Sequence, residues 1–464
     1  ATSSVARALS RVPPALRRLR LHATMASVQK DAPRNGAGTV NGVDKDEKKD
    51  DITRKKVFEQ ECISTAAQKW YPTKEEQAQL DEQKILESVK TPYKSVWVEC
   101  GMDVEGKPMY MNTLVFEAAD SKADDIPIVL AHGYGAGLGI FYQNLDTLAN
   151  IPGTRLYAID WIGMGRSSRV PFPISDVIRD GGASSRQNKG TITGAKAQQA
   201  DLKKVDIWNA SAEEKKAVKD AEDFFLKPFE EWRKNVGIGE MILIGHSLGG
   251  YLASSYCLQN PEKLIKLILL SPVGVPEVPP DKQRRFQERM DGDWRLRWAK
   301  SLWEGGTTPQ QLVRNFGWIG ASRWFTSSIV ERRFKHTDFD AESKKSIAGY
   351  LHSITILPRS GEDCISTILK FGAWARVPLL NRIKSYLKIP TVFIYGKNDW
   401  MDPTTAHQFS VDSEMSKYVS KPYIIPKGGH HMYLENSTAC NPVLHKEVTD
   451  GVKSFIAKKK DAGE

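Results

Sequence analysis

Short, continuous apolar runs constrain the fold of this chain more than any other feature of its sequence. Eight runs of three to eight residues, rich in Val, Ile, Leu and aromatic residues, alternate with stretches of helical periodicity. They occupy residues 95–99, 109–116, 128–131, 156–160, 241–245, 264–270, 391–395 and 423–425. Several are apolar at successive rather than alternate positions, which is the pattern of strands buried on both faces of a sheet. The sequence therefore predicts an α/β fold built on a mostly parallel eight-stranded sheet.

Length and composition set the class of protein. The chain has 464 residues, of which 40% are hydrophobic and 26% charged, as in globular proteins with more than one domain. No eighteen consecutive residues are apolar, so we expect any membrane contact to be peripheral. The cysteines lie far apart, are odd in number and form no C-x-x-C pair. A disulfide scaffold or a zinc site is therefore not expected, and a reducing compartment is favoured.

The positive charge is unevenly distributed. The formal net charge is +10, but six basic residues and no acidic ones fall within residues 1–30, so the remaining chain carries only +4. This mildly basic body argues against nucleic acid as a partner. Residues 1–30 are rich in Arg, Ser, Ala and Leu without the apolar core of a secretory signal, which predicts a mitochondrial presequence. The alternative is a disordered basic tail. Translation from Met25 could also give a shorter form without the presequence.

The rest of the chain divides by composition. Residues 31–57 have almost no apolar side chains and are predicted to form a disordered linker, and residues 58–92 an N-terminal helical extension. The core of the α/β fold is predicted in two parts, 93–275 and 386–458, the first with a flexible insertion at 176–220. Between the two parts, and between the sixth and seventh strands, residues 276–385 are expected to form a helical lid.

A nucleophilic serine is indicated by Gly245-His246-Ser247-Leu248-Gly249. This G-x-S-x-G pattern is weak by itself. Here it directly follows a predicted strand and opens a predicted helix, which is the strand–turn–helix context of a nucleophile elbow. The alternative is a structural turn without catalysis.

A serine nucleophile needs a base and an orienting carboxylate, in the chain order Ser, Asp, His for this fold. His430 follows the glycine pair after the eighth strand and is the predicted base, with His431 as the alternative register. Asp399 follows the seventh strand and is favoured as the acid over Asp402, which lies on the same loop. Ser247, Asp399 and His430 are therefore the predicted catalytic residues.

The oxyanion hole is expected from the loop 132–137 that follows the third strand and from the residue after the nucleophile. These rules name the backbone N–H groups of Tyr134 and Leu248. The glycines of this loop do not make G-x-G-x-x-G, and no G-K-[ST] closes a phosphate loop, so nucleotide binding is not predicted. The segment 160–167 is expected to shape a turn without taking part in the chemistry.

Two tryptophans in the predicted lid belong to an apolar stripe flanked by basic residues. Trp294, Trp298 and Leu302 fall at i, i+4 and i+8 beside basic residues, and residues 276–335 hold twelve Lys or Arg against seven Asp or Glu. Such a stripe can lie in the interface of an anionic membrane. The alternative is that the stripe packs on the sheet and the arginines form an ordinary solvated face.

The blocks around His132, Asp160, Ser247, Asp399 and His430 resemble the α/β-hydrolase superfamily over roughly residues 95–458. The loop after His132, the Asp-Trp-Met-Asp loop and the His430-x4-Glu435 spacing are similar to a lipid-acting branch. That branch contains fungal mitochondrial cardiolipin deacylases, lysophosphatidic acid acyltransferases and the coactivator of adipose triglyceride lipase. The coactivator lacks the serine that this chain has, so the resemblance implies an enzyme. The H-x4-D acyltransferase motif of the branch appears here with Glu435 in place of Asp.

Together these features predict a carboxylic ester hydrolase of the phospholipase A type. Its expected substrate is a glycerophospholipid, cardiolipin by resemblance, at the mitochondrial inner membrane, and its chemistry requires no cofactor or metal. Acyl transfer from acyl-CoA to lysophosphatidic acid would use the same acyl-enzyme and stays open as an alternative. A non-catalytic lipid-binding scaffold and a hydrolase of small soluble esters or peptides are further alternatives.

Overall fold

The computed structural model describes residues 57–59, 73–116, 122, 125–172, 210–277, 280–317, 320–335, 337 and 339–463. The predicted presequence, residues 1–30, lies outside these described residues. So do the predicted linker, apart from Val57, and residues 176–209 of the predicted flexible insertion.

The first half of the fold alternates strands and helices. Its strands are β1 (Val57–Glu59), β2 (Tyr93–Met102), β3 (Pro108–Phe116), β4 (Ile126–Ala131), β5 (Thr154–Ile159), β6 (Met241–His246) and β7 (Leu264–Leu270). Its helices are α1 (Lys74–Leu86), α2 (Tyr142–Ala149), α3 (Ala212–Asn235) and α4 (Leu248–Gln259).

The second half begins with a mainly helical segment between β7 and the next strand of the main sheet. This segment contains α5 (Pro280–Gly292), α6 (Trp294–Glu304), α7 (Pro309–Phe316), α8 (Ser322–Arg333), α9 (Ala341–Thr355), α10 (Cys364–Ile368), β8 (Leu369–Lys370), β9 (Trp374–Ala375) and α11 (Leu379–Tyr386). The chain then returns to the sheet through β10 (Thr391–Gly396), α12 (Thr404–Val411), β11 (Tyr423–Ile425), α13 (Met432–Glu435) and α14 (Ser437–Ala462).

Within the described residues the main sheet has nine strands, in the order β1-β2-β3-β5-β4-β6-β7-β10-β11. The six strands from β5 to β11 run parallel, and β1, β2 and β3 pair antiparallel at one edge. All eight predicted strands are present, and the mostly parallel α/β-hydrolase arrangement is confirmed. The ninth strand, β1, is an addition at the edge.

The sheet is buried on both faces, as its apolar runs require. In β4, Val129 and Ala131 belong to one hydrophobic cluster, while Ile128 and Leu130 belong to another. Side chains of α3 and α4 contribute to the first cluster, and side chains of α2 and α14 contribute to the second. A strand that buries both faces cannot tolerate polar alternation, which explains the unbroken Val, Ile and Leu runs.

Two predictions about segments are wrong in part. Residues 212–220, expected within the flexible insertion, form the start of α3, where Ser211 and Glu214 make a capping box. Residues 58–59, expected in a helical extension, belong to β1, where Phe58 pairs with Trp97. Three residues are too few for a periodic signal, so only the partner strand reveals this one. The extension does hold a helix, α1, capped by Thr73 and Glu76.

Helix α6 differs in exposure from the core and from the buried helices α9 and α10 of the same segment. In α6 no side chain is buried, and Trp294 and Trp298 are 65% and 60% exposed. Among the described residues, no helix is long and apolar enough to cross a membrane.

Candidate active site

Ser247 occupies a strained turn between β6 and α4. Its backbone has φ 52° and ψ −116°, in a region that residues other than glycine rarely adopt. The turn is possible because Gly245 and Gly249, two residues to either side of Ser247, have no side chain. A Cβ at Gly249 would collide with the carbonyl oxygen of His132, and a Cβ at Gly245 would lie 2.5 Å from the carbonyl oxygen of Gly249. The strand therefore delivers the serine side chain to the carboxyl edge of the sheet.

His430 and Asp399 reach Ser247 from two other strands. Asp399 lies on the loop after β10 and His430 on the loop after β11. His430 Nε2 lies 2.9 Å from Ser247 Oγ, and His430 Nδ1 lies 3.1 Å from Asp399 Oδ1. The side chains of His430 and Asp399 are only 8% and 1% exposed. The three residues predicted from sequence are therefore brought together, in an order that allows proton transfer from serine to imidazole.

Asp402 lies away from His430. Its carboxylate accepts a hydrogen bond from Lys282 Nζ at 2.7 Å and one from the backbone N–H of Thr404 at 3.0 Å, at the start of α12. The hydrogen bonds from Lys282 and then Thr404 lower the pKa of Asp402 to about 2. Asp402 thus ties the first turn of α5 to the loop that carries Asp399.

Ser271 is a neighbour of this site that the sequence prediction missed. It directly follows β7, and its hydroxyl donates to Asp399 Oδ2. The hydroxyl oxygen of Ser271 also lies 3.0 Å from His430 Nδ1. Asp399 Oδ1 also accepts from the backbone N–H of Met401 at 3.0 Å. A serine after an apolar strand is common, so the only signal in the sequence was its place at the end of a central strand.

His431, the alternative base, points elsewhere. Its ring is buried and lies 6.0 Å from that of Phe334, and burial holds the pKa of His431 well below its usual value. Its backbone N–H donates to Glu435 Oε1 at 3.1 Å, and the N–H of Gly429 donates to Oε2 of the same carboxylate. Glu435 therefore binds the backbone on both sides of His430. The Glu of the H-x4-E spacing holds the loop of the histidine.

The loop 132–137 crosses beside the nucleophile, as expected for an oxyanion hole. A Cβ at Gly133 would lie 2.9 Å from Ser247 Cβ. Leu248, the first residue of α4, is buried, and the first N–H groups of a helix have no partner within it. The Tyr134 hydroxyl donates to Gln310 Oε1 at 2.6 Å, which joins this loop to α7. The oxyanion role of the Tyr134 and Leu248 N–H groups stays a prediction.

A buried polar network contacts the chain directly after the loop 132–137. Asp160 accepts from the N–H of Leu138 at 2.7 Å and from Asn112 Nδ2 at 2.7 Å. Asn112 also donates to Glu82 of α1 at 3.0 Å, and Arg166 pairs with Glu82 at 2.6 Å. Burial raises the pKa of Glu82 to about 7, against the opposing charge of Arg166. The segment around Asp160 thus shapes the turn as predicted, and it also ties that turn to α1.

Trp294 and Trp298 are exposed on α6 and do not pack on the sheet, which contradicts the packing alternative for these two side chains. The guanidinium of Arg295 lies 5.8 Å from the ring of Trp294. Trp400 is also exposed, at 57%, and its ring centroid lies 5.0 Å from that of His430. The Lys282–Asp402 bond places the start of α5 beside the loop of Trp400.

Among the described residues, no cluster of three or more His, Cys, Asp or Glu side chains could hold a metal ion. The cysteines that the structure describes, Cys100, Cys257, Cys364 and Cys440, are free and buried. Burial raises the pKa of Cys257 to about 12, which disfavours the reactive thiolate there.

A parallel sheet with a serine elbow, and with His and Asp on the loops after two later strands, defines the α/β hydrolases. The chain belongs to the α/β-hydrolase family. A family described as alpha/beta hydrolase fold matches residues 126–303. A 1-acylglycerol-3-phosphate O-acyltransferase of Arabidopsis thaliana is 30% identical over 404 residues, which are 84% of this chain and 83% of the relative.

Two other relatives are also named for lipids. A (lyso)-N-acylphosphatidylethanolamine lipase of Bos taurus is 31% identical over 335 residues, which are 71% of this chain and 80% of the relative. The human 1-acylglycerol-3-phosphate O-acyltransferase ABHD5 is 28% identical over 378 residues, which are 80% of this chain and 89% of the relative. The chain is thus a member of a lipid-acting α/β-hydrolase family.

Proposed function

We propose that this protein is a serine hydrolase of the phospholipase A type, which removes an acyl chain from a glycerophospholipid. The observation that carries the proposal is the 2.9 Å approach of His430 Nε2 to Ser247 Oγ, with Asp399 behind the imidazole. A scaffold that only binds lipid does not need a nucleophile, a base and an acid within hydrogen-bond distance of one another. This geometry therefore supports catalysis over the scaffold alternative.

In the first step Ser247 Oγ attacks the ester carbonyl while His430 Nε2 takes the serine proton. Asp399 keeps the proton of the neutral imidazole on Nδ1, so that Nε2 is free to act as the base. The tetrahedral intermediate carries its negative charge on the former carbonyl oxygen. The backbone N–H of Leu248 at the start of α4 and that of Tyr134 stabilise this charge.

Collapse of the intermediate breaks the bond to the glycerol oxygen, which leaves with the proton that His430 returns. The acyl chain is then an ester of Ser247. A water molecule, deprotonated by His430, attacks that ester and releases the fatty acid and free Ser247. The chemistry is complete with residues of this chain, an ester and water.

Acyl transfer is a second candidate, supported by the relatives named as 1-acylglycerol-3-phosphate O-acyltransferases. The acyl-enzyme would form from acyl-CoA, and the hydroxyl of a lysophospholipid would attack it in place of water. Glu435 does not discriminate between the two candidates, because it binds the backbone of the His430 loop.

An anionic membrane surface is the proposed partner. The exposed Trp294 and Trp298 supply apolar rings of the kind that enter the headgroup region, and the neighbouring Arg295 and Arg297 are also exposed. The bond between Lys282 and Asp402 supports this placement, since it joins α5, the helix that directly precedes α6, to the active-site loop.

We further propose the mitochondrial inner membrane as the location and cardiolipin as the substrate. The support is the composition of residues 1–30 together with the resemblance to cardiolipin deacylases. Deletion of residues 1–24 should leave the protein in the cytosol without changing its activity on dispersed lipid. Continued mitochondrial import of the deleted form, measured by fractionation, would contradict this location.

The deciding experiment compares purified wild type and Ser247→Ala. Each is incubated with vesicles of cardiolipin or phosphatidylethanolamine, and with lysophosphatidic acid plus oleoyl-CoA, and products are measured by mass spectrometry. We expect release of fatty acid from cardiolipin and at least about a 10⁴-fold lower rate in Ser247→Ala. Formation of phosphatidic acid without fatty acid release would favour acyl transfer. Equal rates in both proteins would overturn the assignment of Ser247 as the nucleophile.

A further inference from the structure

Ser271 is held in a fixed place between the nucleophile and the acid. It directly follows β7, which lies between β6 and β10 in the sheet. Its N–H donates to the carbonyl of Ile394 in β10 at 2.8 Å, and the carbonyl of Leu270 before it accepts from the N–H of Ser247 at 2.9 Å. Its side chain is fully buried, with 0% exposure. A hydroxyl in this place can move little relative to the catalytic groups.

The Ser271 hydroxyl joins the acid and the base. An ionised carboxylate can only accept, so the hydroxyl donates to Asp399 Oδ2. With its proton committed there, Ser271 Oγ turns a lone pair toward His430 Nδ1 at 3.0 Å. Asp399 Oδ1 lies 3.1 Å from the same nitrogen. Nδ1 thus faces two acceptors and must carry the proton of the neutral ring, which leaves Nε2 unprotonated toward Ser247.

The direction of the hydroxyl dipole also matters. Its positive end points to Asp399 and its negative end to His430. Positive charge appears on the imidazole when it takes the proton of Ser247, so an oxygen at Nδ1 stabilises the ring at that moment. A hydrogen bond to a charged group contributes more than one to a neutral group, so this contribution grows toward the transition state.

The backbone alone does not call for a serine at this position. Ser271 has φ 46°, a conformation that costs a side-chain-bearing residue free energy and costs glycine little. A residue chosen only for the turn would be glycine. The hydroxyl and its two contacts are what distinguishes serine here.

We propose that Ser271 is a positioning residue of the active site, whose hydroxyl fixes the proton of His430 on Nδ1 and stabilises the positive ring during catalysis. This inference rests on the proposed triad of Ser247, His430 and Asp399, and it extends the site by one residue.

The test compares Ser271→Ala and Ser271→Gly with wild type. Two readouts are followed against pH: hydrolysis of p-nitrophenyl butyrate, and the rate at which a fluorophosphonate probe labels Ser247, which needs no natural substrate. Loss of the hydroxyl should lower kcat/KM about tenfold. It should also move the midpoint of the acid limb to lower pH, by up to about one unit, because the positive ring loses an acceptor. Ser271→Gly keeps the test valid if the alanine variant does not fold.

Ser255→Ala is the matched control. Ser255 is buried and donates to the buried carboxylate of Glu222 at 3.0 Å, so its loss removes the same kind of bond outside the active site. We expect this control to lower stability and to leave the acid limb in place. If Ser271→Ala and Ser271→Gly lose stability while the acid limb stays at its wild-type pH, Ser271 is only structural and the inference is overturned. Labelling that persists in Ser247→Ala would instead overturn the proposed triad.

Discussion

His430 is surrounded by groups that each fix a different property of its ring. Nδ1 faces Asp399 and Ser271, which determines the position of the proton, and Nε2 faces Ser247. Glu435 holds the backbone on both sides of the residue. The reactivity of this histidine therefore depends on contacts from the loops after β6, β7, β10 and β11.

The two aspartates of the loop after β10 should behave differently when changed to asparagine. Asp399→Asn should lower kcat by about 10⁴-fold, because an amide can donate to Nδ1 and so favours the wrong tautomer. Asp402→Asn loses the charge that binds Lys282, an exposed pair, so kcat should stay within a few-fold of wild type. Hydrolysis of p-nitrophenyl butyrate by the two variants is the measurement. The assignment of the acid would be reversed by a large loss in Asp402→Asn alone.

At the residue scale, what the sequence reveals depends on how local the signal is. Ser247, His430 and Asp399 could be predicted because each directly follows a strand beside glycines or in a polar loop, and parallel strands end at one edge. Ser271 and Glu435 could not, because their partners are distant in sequence or are backbone groups. The choice between Asp399 and Asp402 depended on a three-residue difference that only the geometry of the loop could resolve.

The packing of the elbow between β6 and α4 leaves no room for a side chain at Gly249. Gly249→Ala would drive a Cβ into the carbonyl oxygen of His132, on the backbone of the loop 132–137. Backbone cannot turn aside as a side chain can, so we expect a loss of at least about 3 kcal/mol in the free energy of unfolding, or failure to fold. Gly239→Ala is the control, since a Cβ there meets nothing within 4 Å. Urea unfolding of both variants would test this. Equal stabilities would contradict the close approach of Gly249 to the backbone of His132.

The helix α6 should bind membrane through Trp294 and Trp298. Changing both to alanine should weaken binding to cardiolipin-containing vesicles at least about tenfold and slow hydrolysis of vesicle lipid, because the exposed rings lose apolar contact. Hydrolysis of p-nitrophenyl butyrate should be spared. Binding should also weaken as salt rises, since charges are screened beyond about 8 Å at physiological ionic strength.

The control for this pair is Tyr386→Ala, which removes an exposed aromatic ring, 64% exposed, from α11 instead. It should bind vesicles like wild type. Sedimentation of vesicles with each protein measures the difference. If the tryptophan variant loses activity on the soluble ester to the same extent, or unfolds, α6 supports the fold and the membrane proposal fails.

Elements could be predicted where their burial is periodic or continuous, and not where pairing alone defines them. The central strands could be predicted directly from their continuous apolar runs, because both faces of these strands are buried. The strand β1 has three residues and exists through its pairing with β2. The start of α3 lies in a polar stretch, where the capping box at Ser211 begins the helix while most buried side chains come after residue 217.

At the scale of the whole molecule, four buried histidines with lowered pKa values link stability to pH. Burial lowers the pKa of His132 and His352, and holds those of His246 and His431 well below the usual value. In the unfolded chain these residues would titrate near pH 6.5. Below that pH the unfolded chain binds more protons than the folded one, so stability is lost as pH falls. Glu82 acts in the opposite sense, since its raised pKa of about 7 makes its contribution fall as pH rises from 4.5.

We therefore expect the free energy of unfolding to decrease between pH 7 and pH 5, by up to about 1.4 kcal/mol per pH unit for each buried histidine that must charge on unfolding, less the opposing effect of Glu82. Replacing His431 by leucine removes one of these four histidines. The slope of the free energy of unfolding against pH should then decrease by up to the equivalent of one bound proton. His445, exposed on α14, is the control, because the same substitution there changes no buried group. Urea unfolding at several pH values measures the slopes. Equal slopes in wild type and His431→Leu would show that His431 does not resist protonation in the folded protein.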